Sequence, residues 1–439
     1  MSPDRESPKP IKPLEYCSIP VEERSVSQPL TVQREEYQWY LKALNSGASV
    51  LHRLGFPFGK LDESSLLQGA RKATGLDDWG GEHFLEPMRV MLEDVESSNL
   101  TTLARISTRD IGVHCLSNRL RLTDYFKQHP EVRNHKIDRP VFILGFPRTG
   151  TTVLQNLLAL GPDRRALPFW EIMNPVPLHP DPVRDRKLRI NASDAKLRVA
   201  YWVVPEMAAV HEIRSESLEE CWPLLANGFT VMAWDMGSGW RNYGEWLLQQ
   251  DMAPSYREYR ECLQVMAQRV PDTDFVLKCP DHLWFVDSLL EVFPDACIVW
   301  THRDPVESIA SYCSLISLNW RLMYGQFDPK EVGEHIEKRF LNGVQRAMAV
   351  RDRVGSDRFF DVDFVQLCED PNRVVGEINR HFDLAPISEE AISGYFAKKR
   401  KDERGRHRYS VERYGIDRER VHARYAEYIE RFQIPLRDG

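Results

Sequence analysis

The sequence predicts an α/β fold, in which a parallel sheet is flanked by helices and preceded by a helical N-terminal extension. Short apolar runs with the length of buried strands alternate with helical patterns after about residue 138, and this alternation is typical of a parallel sheet with helices on both faces. Before that point the apolar positions recur only at helical spacing. One apolar run ends in a glycine- and hydroxyl-containing turn that leads into a helix, an arrangement that favours anion binding.

The N-terminal third divides into two segments. Residues 1–30 are polar and carry six prolines, a composition that predicts disorder. Residues 31–137 contain three apolar stripes at helical spacing, and we expect this helical region to pack on the following domain, residues 138–439, as a partial lid. The stripes lie around Tyr37–Leu44, Phe84–Val95 and Leu103–Tyr125.

Four strands are predicted in the α/β domain, each followed by a loop and a helical pattern. The Arg139-Pro140 dipeptide marks the change from the helical region. Between about residues 170 and 265 the alternation lapses into helical, aromatic-rich sequence. The predicted strands are Val141–Leu144, Phe275–Lys278, Ala296–Thr301 and Phe359–Val362. The helical patterns after them are Thr152–Leu160, His282–Val292, Val306–Leu318 and Asn372–Phe382.

Composition argues against several classes of function. The chain has 439 residues and a formal net charge of −7, which gives no support to a nucleic-acid partner or an anionic membrane surface. Its eight cysteines are scattered without a C-x-x-C pair, so we expect reduced thiols and no zinc site. No stretch offers the roughly 18 apolar residues of a transmembrane segment, and a signal-peptide core is missing. We therefore expect a cytoplasmic protein, with a homo-oligomer left open.

The turn after the first strand nearly fits the nucleotide-binding pattern G-x-x-x-x-G-K-[ST]. Gly145 and Gly150 are its glycines, and the sheet is therefore expected to be P-loop-like. Thr151 stands where the lysine belongs, and the cation of the loop is Arg148. A P-loop kinase needs that lysine and Mg²⁺ for a phosphate chain, whereas one arginine among threonines suits a sulfuryl group with a single negative charge.

The segment Pro147-Arg-Thr-Gly-Thr-Thr152 resembles the phosphosulfate-binding loop of sulfotransferases that use 3′-phosphoadenosine-5′-phosphosulfate (PAPS). Carbohydrate and many bacterial-type members of that family carry arginine at the position of Arg148, whereas cytosolic members usually carry lysine. The resemblance implies that PAPS is the co-substrate and PAP the product. It also implies that the donor is bound by Arg148, Thr149, Gly150, Thr151 and Thr152.

A second part of the nucleotide site is expected after the third predicted strand. Arg303-Asp-Pro follows that strand and Ser311 comes eight residues later, and an arginine with a hydroxyl can bind a terminal phosphate. This spacing resembles the 3′-phosphate site of the sulfotransferases. The family also closes a basic, glycine-containing segment over the nucleotide, and its counterparts here are Arg404, Gly405 and Arg406.

The chemistry of sulfuryl transfer requires charge stabilisation on the leaving oxygen and a base for the acceptor proton; it requires no metal. Arg148 is expected to supply the first. Lys278 matches a family lysine, and His282, displaced by two positions from the family histidine, is the first candidate for the base. His211 is the second candidate, and a carboxylate such as Glu216 or Glu219 is a further option.

Residues 201–246 are rich in aromatic side chains, most of which are expected to be ordinary core. If some of them form an acceptor wall, the acceptor is a small molecule with a hydroxyl or amine that is apolar or lipid-like. Two alternatives stay open at this point. A kinase-like phosphotransferase would need acidic Mg²⁺ ligands, for which Asp361 and Asp363 are available. A non-catalytic PAP-binding protein would keep the fold and the nucleotide site without the transfer activity.

Overall fold

The computed structural model describes residues 39–53, 60–207, 212–270, 273–401 and 410–436. Its centre is a five-stranded parallel sheet with the strand order β2-β3-β1-β4-β5. The predicted α/β fold, with its parallel sheet, flanking helices and N-terminal helices, is thereby confirmed. The strands are β1 (Val141–Gly145), β2 (Arg164–Ala166), β3 (Asp274–Lys278), β4 (Cys297–His302) and β5 (Phe359–Asp363).

Strand β1 lies in the middle of the sheet and is buried along its whole length. It pairs with β3 on one side, where Ile143 is opposite Lys278, and with β4 on the other, where Gly145 is opposite Thr301. The carboxyl ends of these strands meet at one edge, where open α/β sheets bind ligands. The four predicted strands are all present; β2 was missed because its three residues include two arginines and form no apolar run.

Four α-helices precede the sheet within the described residues. The second of them was missed from the sequence, although Asp62 caps its N-terminus and Gly75 ends it in the left-handed conformation. The third and fourth coincide closely with the predicted stripes. These helices are α1 (Trp39–Arg53), α2 (Glu63–Thr74), α3 (Leu85–Ser97) and α4 (Thr102–Gln128).

The remaining helices cover both faces of the sheet. Val141 and Ile143 point into one apolar core, and Phe142 and Leu144 point into the other, because successive strand residues face opposite sides. Between β1 and β4 the helices are α5 (Thr151–Leu158), α6 (Phe169–Met173), α7 (Pro182–Val203), α8 (Trp222–Ala226), α9 (Met232–Ser238), α10 (Arg241–Leu247), α11 (Ala253–Ala267) and α12 (Val286–Val292). After β4 they are α13 (Pro305–Tyr324), α14 (Pro329–Val354), α15 (Phe364–Glu369), α16 (Pro371–His381), α17 (Glu389–Lys401), α18 (Arg418–Arg424) and α19 (Ala426–Arg431).

Two further expectations concern the N-terminal segment and membrane-spanning helices. Residues 1–30, predicted to be disordered, lie outside the described residues. Within the described ranges, none of the helices combines the length and the apolarity that crossing a bilayer would take.

Candidate active site

The loop between β1 and α5 has the backbone of an anion cradle. Gly145, Arg148 and Gly150 all adopt positive φ, at 133°, 71° and 83°, and an arginine in this conformation is strained. A Cβ on Gly150 would lie 3.1 Å from the Phe364 ring, so only glycine lets the loop pass there. In the described structure no side chain caps α5, which leaves its first N–H groups for an anion.

The threonines of this loop take different positions. Thr149 is fully buried, and its hydroxyl contacts the carbonyl oxygen of Phe146 and the hydroxyl of Thr301, both at 2.6 Å. Its side chain therefore shapes the loop from within. Thr151 is buried in the first turn of α5, and Thr152 beside it is half-buried; both lie at the helix end that the resemblance assigns to the phosphosulfate.

The two sequence-predicted halves of the nucleotide site touch each other. Arg148 Nε donates to Ser311 Oγ over 3.1 Å. Arg303 Nη1 donates to the main-chain oxygen of Arg148 over 2.8 Å. Residues more than 150 positions apart in sequence are therefore in direct contact at the carboxyl edge of the sheet.

The surroundings of Arg303 suit an additional anion. Its guanidinium lies 4.5 Å from the centre of the Phe364 ring and pairs with Glu307 at 3.6 Å. Arg303 Nη2 and Ser308 Oγ are buried and have no hydrogen-bond partner among the described residues. Unsatisfied buried donors are costly, so a phosphate oxygen is the kind of group that fits between them.

Helix α18 fixes this corner from the C-terminal side, a feature that the sequence did not reveal. Arg418 contacts buried Glu307 at 3.4 Å, and His422 Nε2 contacts Asp304 Oδ1 at 3.1 Å. Both carboxylates flank or pair with Arg303, so α18 restrains the segment that carries it. The predicted nucleotide-covering residues Arg404, Gly405 and Arg406 lie outside the described residues.

Lys278 ends β3 next to the loop and is fully buried. It follows Val276 by two positions and therefore faces the same side of the sheet, the side covered by α5. Its Nζ contacts Glu220 Oε1 at 3.0 Å, and the Glu220 side chain keeps 29% of its surface exposed. A partly accessible carboxylate therefore stands beside a buried cation at the sheet edge. The sequence pattern gave no sign of Glu220, which lies in a loop.

The prediction that His282 is the base is not supported by its position. His282 is fully buried, with Nδ1 2.8 Å from the Tyr256 hydroxyl and Nε2 3.4 Å from Cys221 Sγ. Its ring packs edge-on against Phe142, with 5.0 Å between the ring centres. Both nitrogens thus have interior partners. The predicted single helix His282–Val292 is instead a 3₁₀ turn, Pro280–Trp284, followed by α12, and this turn directs the ring inward.

The positions of the other candidates do not support a role as the base either. One of them lies outside the described residues. His211 lies outside the described residues. Glu216 is on the surface, where it pairs with Arg186. Glu219 is buried, and its main-chain oxygen accepts from Gln155 Nε2 of α5.

Asp281 adds a buried carboxyl group close to this region. Its Oδ2 accepts from the N–H of Ala233 over 3.1 Å. Burial raises the pKa of Asp281 to about 7, and the neighbouring Glu220 also raises it. The Asp281 carboxyl, whose pKa the Glu220 charge of the Lys278–Glu220 pair also raises, therefore changes its protonation state near physiological pH.

The aromatic segment 201–246 is mostly core. Most of these residues were expected to be ordinary core, and aromatic side chains at helical spacing do fill the interior here. Trp222 and Trp246 are partly buried, and Trp202 leaves 59% of its surface exposed. The buried members are Phe229, Trp234, Trp240 and Tyr243.

The acidic residues of β5 have structural partners. Asp361 accepts two hydrogen bonds from Arg351, at 2.7 and 2.8 Å, and contacts His302 Nε2 at 2.9 Å. Asp363 accepts from the N–H of Gln366 at the start of α15. Across the described part of the chain, no cluster of three or more His, Cys, Asp or Glu side chains is arranged for a metal ion. The engagement of these two carboxylates counts against the kinase-like alternative.

Comparison with known proteins agrees with this geometry. The profile of the sulfotransferase family matches residues 140–389. The chain is 23% identical over 270 residues to the omega-hydroxy-beta-dihydromenaquinone-9 sulfotransferase Stf3 of Mycobacterium bovis, which covers 56% of this chain and 63% of the relative. The chain thus matches less than two thirds of the length of that curated relative.

Two solved structures are similar over most of the chain. Sulfotransferase STF1 from Mycobacterium tuberculosis H37Rv is 31% identical, with a TM-score of 0.74 over 83% of this chain and 98% of that one. Sulfotransferase STF9 from Mycobacterium avium is 28% identical, with a TM-score of 0.76 over 86% of this chain and 98% of that one. The chain therefore belongs to the sulfotransferase family.

Proposed function

We propose that the protein transfers a sulfuryl group from PAPS to a hydroxyl group of a lipid-like acceptor. The observation that carries this proposal is the contact of Arg148 with both Ser311 and Arg303. It joins an anion-cradling loop and a second cationic corner in one site. A nucleotide with anionic groups at both its 5′ and 3′ positions is the ligand that such a site suits.

The loop side of the site would hold the 5′ end of the donor. The N–H groups at the start of α5 and the hydroxyls of Thr151 and Thr152 suit the phosphosulfate. Arg303, Ser308 and Ser311 suit the 3′-phosphate, since Arg303 Nη2 and Ser308 Oγ are buried with no hydrogen-bond partner among the described residues.

PAPS, when bound, supplies a sulfuryl group whose leaving group is a phosphate. Arg148 has the role of stabilising the negative charge that grows on that phosphate during transfer. Its side chain is already oriented by Ser311, at 3.1 Å, so little reorganisation is needed at the moment of reaction.

Glu220 is the group that we assign to the acceptor proton, in place of His282. A base must be accessible to the acceptor, and Glu220 is partly exposed whereas His282 is fully buried. Lys278, at 3.0 Å from Glu220, orients this carboxylate and adds positive charge beside the loop.

A lipid-like acceptor is supported by the relative Stf3, which is named for an omega-hydroxylated dihydromenaquinone. A cytoplasmic location is supported by the thiols, because the seven cysteines in the described ranges are all buried and free. The non-catalytic PAP-binding alternative is less favoured, since a partly exposed carboxylate, Glu220, stands beside Lys278 at the sheet edge, and binding an anionic nucleotide does not call for an added negative charge there.

The test is transfer of radiolabelled sulfate from PAPS to a panel of primary alcohols, followed by extraction and mass analysis of the product. Thermal shift with PAP in the absence of Mg²⁺, compared with Mg-ATP, provides the matched binding measurement. We expect stabilisation by PAP alone and a sulfated long-chain alcohol. Stabilisation by Mg-ATP but not by PAP would overturn the proposal.

A further inference from the structure

An apolar groove opens between helices α1, α4 and α7, away from the nucleotide site. Its cavity measures about 610 Å³, and every lining residue is aromatic, aliphatic or glycine, which is the size and character of a small-molecule site. Tyr40 provides the one hydroxyl among the described lining residues, and this hydroxyl donates to the main-chain oxygen of Trp202 over 3.3 Å. The groove therefore presents hydrocarbon and ring surface alone.

The walls of the groove are held by specific hydrogen bonds. The N–H of Leu103 donates to Asn45 Oδ1 over 2.9 Å, and the hydroxyls of Ser49 and Thr102 are 2.9 Å apart. These bonds fix α1 on the start of α4. Trp39 and Trp202 nevertheless leave 80% and 59% of their surfaces exposed, although exposed tryptophans of this extent are unfavourable in water.

Helix α13 links the groove to the nucleotide site. Ser311, which contacts Arg148, lies near its start. Near its end, the carbonyl oxygens of Leu322 and Met323 accept from the hydroxyl and the N–H of Thr101, both at 2.8 Å, immediately before α4. Leu322 lies about 16 Å beyond Ser311 along the helix axis. Helix α13 thus runs from the sulfuryl site to the start of α4, where Leu103 lines the groove, over an axial length shorter than an extended hexadecyl chain.

We infer that this groove binds the hydrocarbon chain of the acceptor while its hydroxyl reaches Glu220 and Arg148. The inference rests on the proposed function and adds the substrate class, a long-chain or isoprenoid alcohol. Two of the three groove helices, α1 and α4, precede the residues 140–389 that match the family profile. The N-terminal helices thus add recognition of the acceptor's hydrocarbon chain to the domain that transfers the sulfuryl group.

A single chain is a better occupant than a bilayer surface. Membrane-docking helices have a polar face rich in Lys and Arg, whereas α1 carries only Lys42 and Arg53. The net charge of −7 also gives no electrostatic attraction to anionic lipids.

The first experiment uses the full-length protein with labelled PAPS and two acceptors, butanol and a hexadecyl alcohol. For Trp202→Ala, we expect the ratio of kcat/KM for the long alcohol to that for the short alcohol to fall about tenfold. Ile106→Asn, which places a polar group on the groove wall, should lower the same ratio. Val354→Ala is the matched control, since Val354 is exposed but does not line the groove. An unchanged ratio in both groove variants would overturn the inference.

The second experiment measures binding without turnover and separates the two proposals. A brominated long-chain alcohol should quench the fluorescence of the wild-type protein, and the quenching should fall at least threefold in Trp39→Phe/Trp202→Phe. Equal quenching in both proteins would contradict the groove assignment, as would quenching by brominated phosphatidylcholine vesicles but not by the dispersed alcohol. Groove-dependent quenching without any sulfate transfer would refute the proposed function and still support the groove as a binding site for a hydrocarbon chain.

Discussion

The two flanks of β1 differ although both bring a charged residue to the same sheet edge. On the β4 side, Asp304 caps α13 and Pro305 begins it, so Arg303 stays at the edge and contacts the loop. On the β3 side, Cys279 and Pro280 open a 3₁₀ turn that directs His282 into the core. The helix type that follows a strand thus decides whether a side chain serves the site or the interior.

The β3 side still contributes to the site, through a residue from a different segment. Lys278 stays at the strand end and contacts Glu220 at 3.0 Å. The N–H of Cys221 donates to the main-chain oxygen of Lys278 over 3.0 Å, which holds the Glu220 loop against the strand. Each flank therefore provides one cation, but Lys278 pairs with the partly exposed Glu220, whereas Arg303 pairs with the buried Glu307.

The largest effect is expected for Arg148→Ala. Loss of the charge beside the leaving phosphate should lower kcat about 10³-fold, while PAP affinity, measured by calorimetry, falls much less. Arg148→Lys serves as the control, because it keeps the charge but lacks the Nε donor to Ser311, and it should recover part of the rate. Equal losses of kcat and PAP affinity in Arg148→Ala would mean that Arg148 only binds the donor.

The next effect separates the two candidates for the base. Glu220→Gln should lower kcat about 10²-fold or more, and some stability is also lost because the pair with buried Lys278 is weakened. His282→Gln should leave kcat nearly unchanged and lower only the stability, because it removes buried contacts to Tyr256 and Cys221 at a cost of about 1–3 kcal/mol. A Glu220→Gln enzyme with wild-type kcat would return the role to a histidine, with His211 next to be tested.

The buried carboxyl group of Asp281 offers a test through the pH dependence of the free energy of unfolding. Its pKa is raised from the ordinary value of 3.8 to about 7 by burial, so its contribution to stability is fully present below about pH 4 and is lost as pH rises through 7. Asp281→Asn mimics the neutral form. It should raise the free energy of unfolding by roughly 4 kcal/mol at pH 8 and by only about 1 kcal/mol at pH 4.5, as measured by urea denaturation. A gain of equal size at both pH values would contradict this assignment.

The smallest effect is expected for the contact of α18 with Glu307. Arg418→Ala should weaken PAP binding by about 1 kcal/mol, since Arg418 is partly exposed and acts only through Glu307. KM for PAPS should rise while kcat stays the same, and Arg418→Lys should restore most of the affinity. A lowered kcat with unchanged KM would show that α18 does not act through Arg303.

The parallel sheet could be predicted from the sequence because it depends on local patterns, and the same patterns indicated that the loop and Arg303 would lie at one edge of the sheet, where they are in contact. The loop from Gly145 to Thr152 carries its own backbone signature, and Arg303 is fixed by the strand before it and the cap after it. Glu220 and Arg418 could not be found in this way. Each reaches the site through long-range contacts, with Lys278 and Glu307, that leave no spacing pattern in the chain.

His282 and the buried aromatic residues show the limit of reading a site from composition. A histidine near a strand end and a run of tryptophans have the composition of a functional site. Composition does not reveal which way a side chain points. Here a proline-led turn and helical packing place them in the interior.

The central claim is that one nucleotide is bound at both ends by two sequence segments that meet at Arg148 and Arg303. The most direct measurement is the calorimetric affinity of wild type and Arg303→Ala for PAP and for AMP, which lacks the 3′-phosphate. We expect Arg303→Ala to weaken PAP binding by about 1.5–3 kcal/mol and AMP binding far less, so that the preference for PAP largely disappears. Equal losses for the two nucleotides, or no loss for PAP, would contradict the claim.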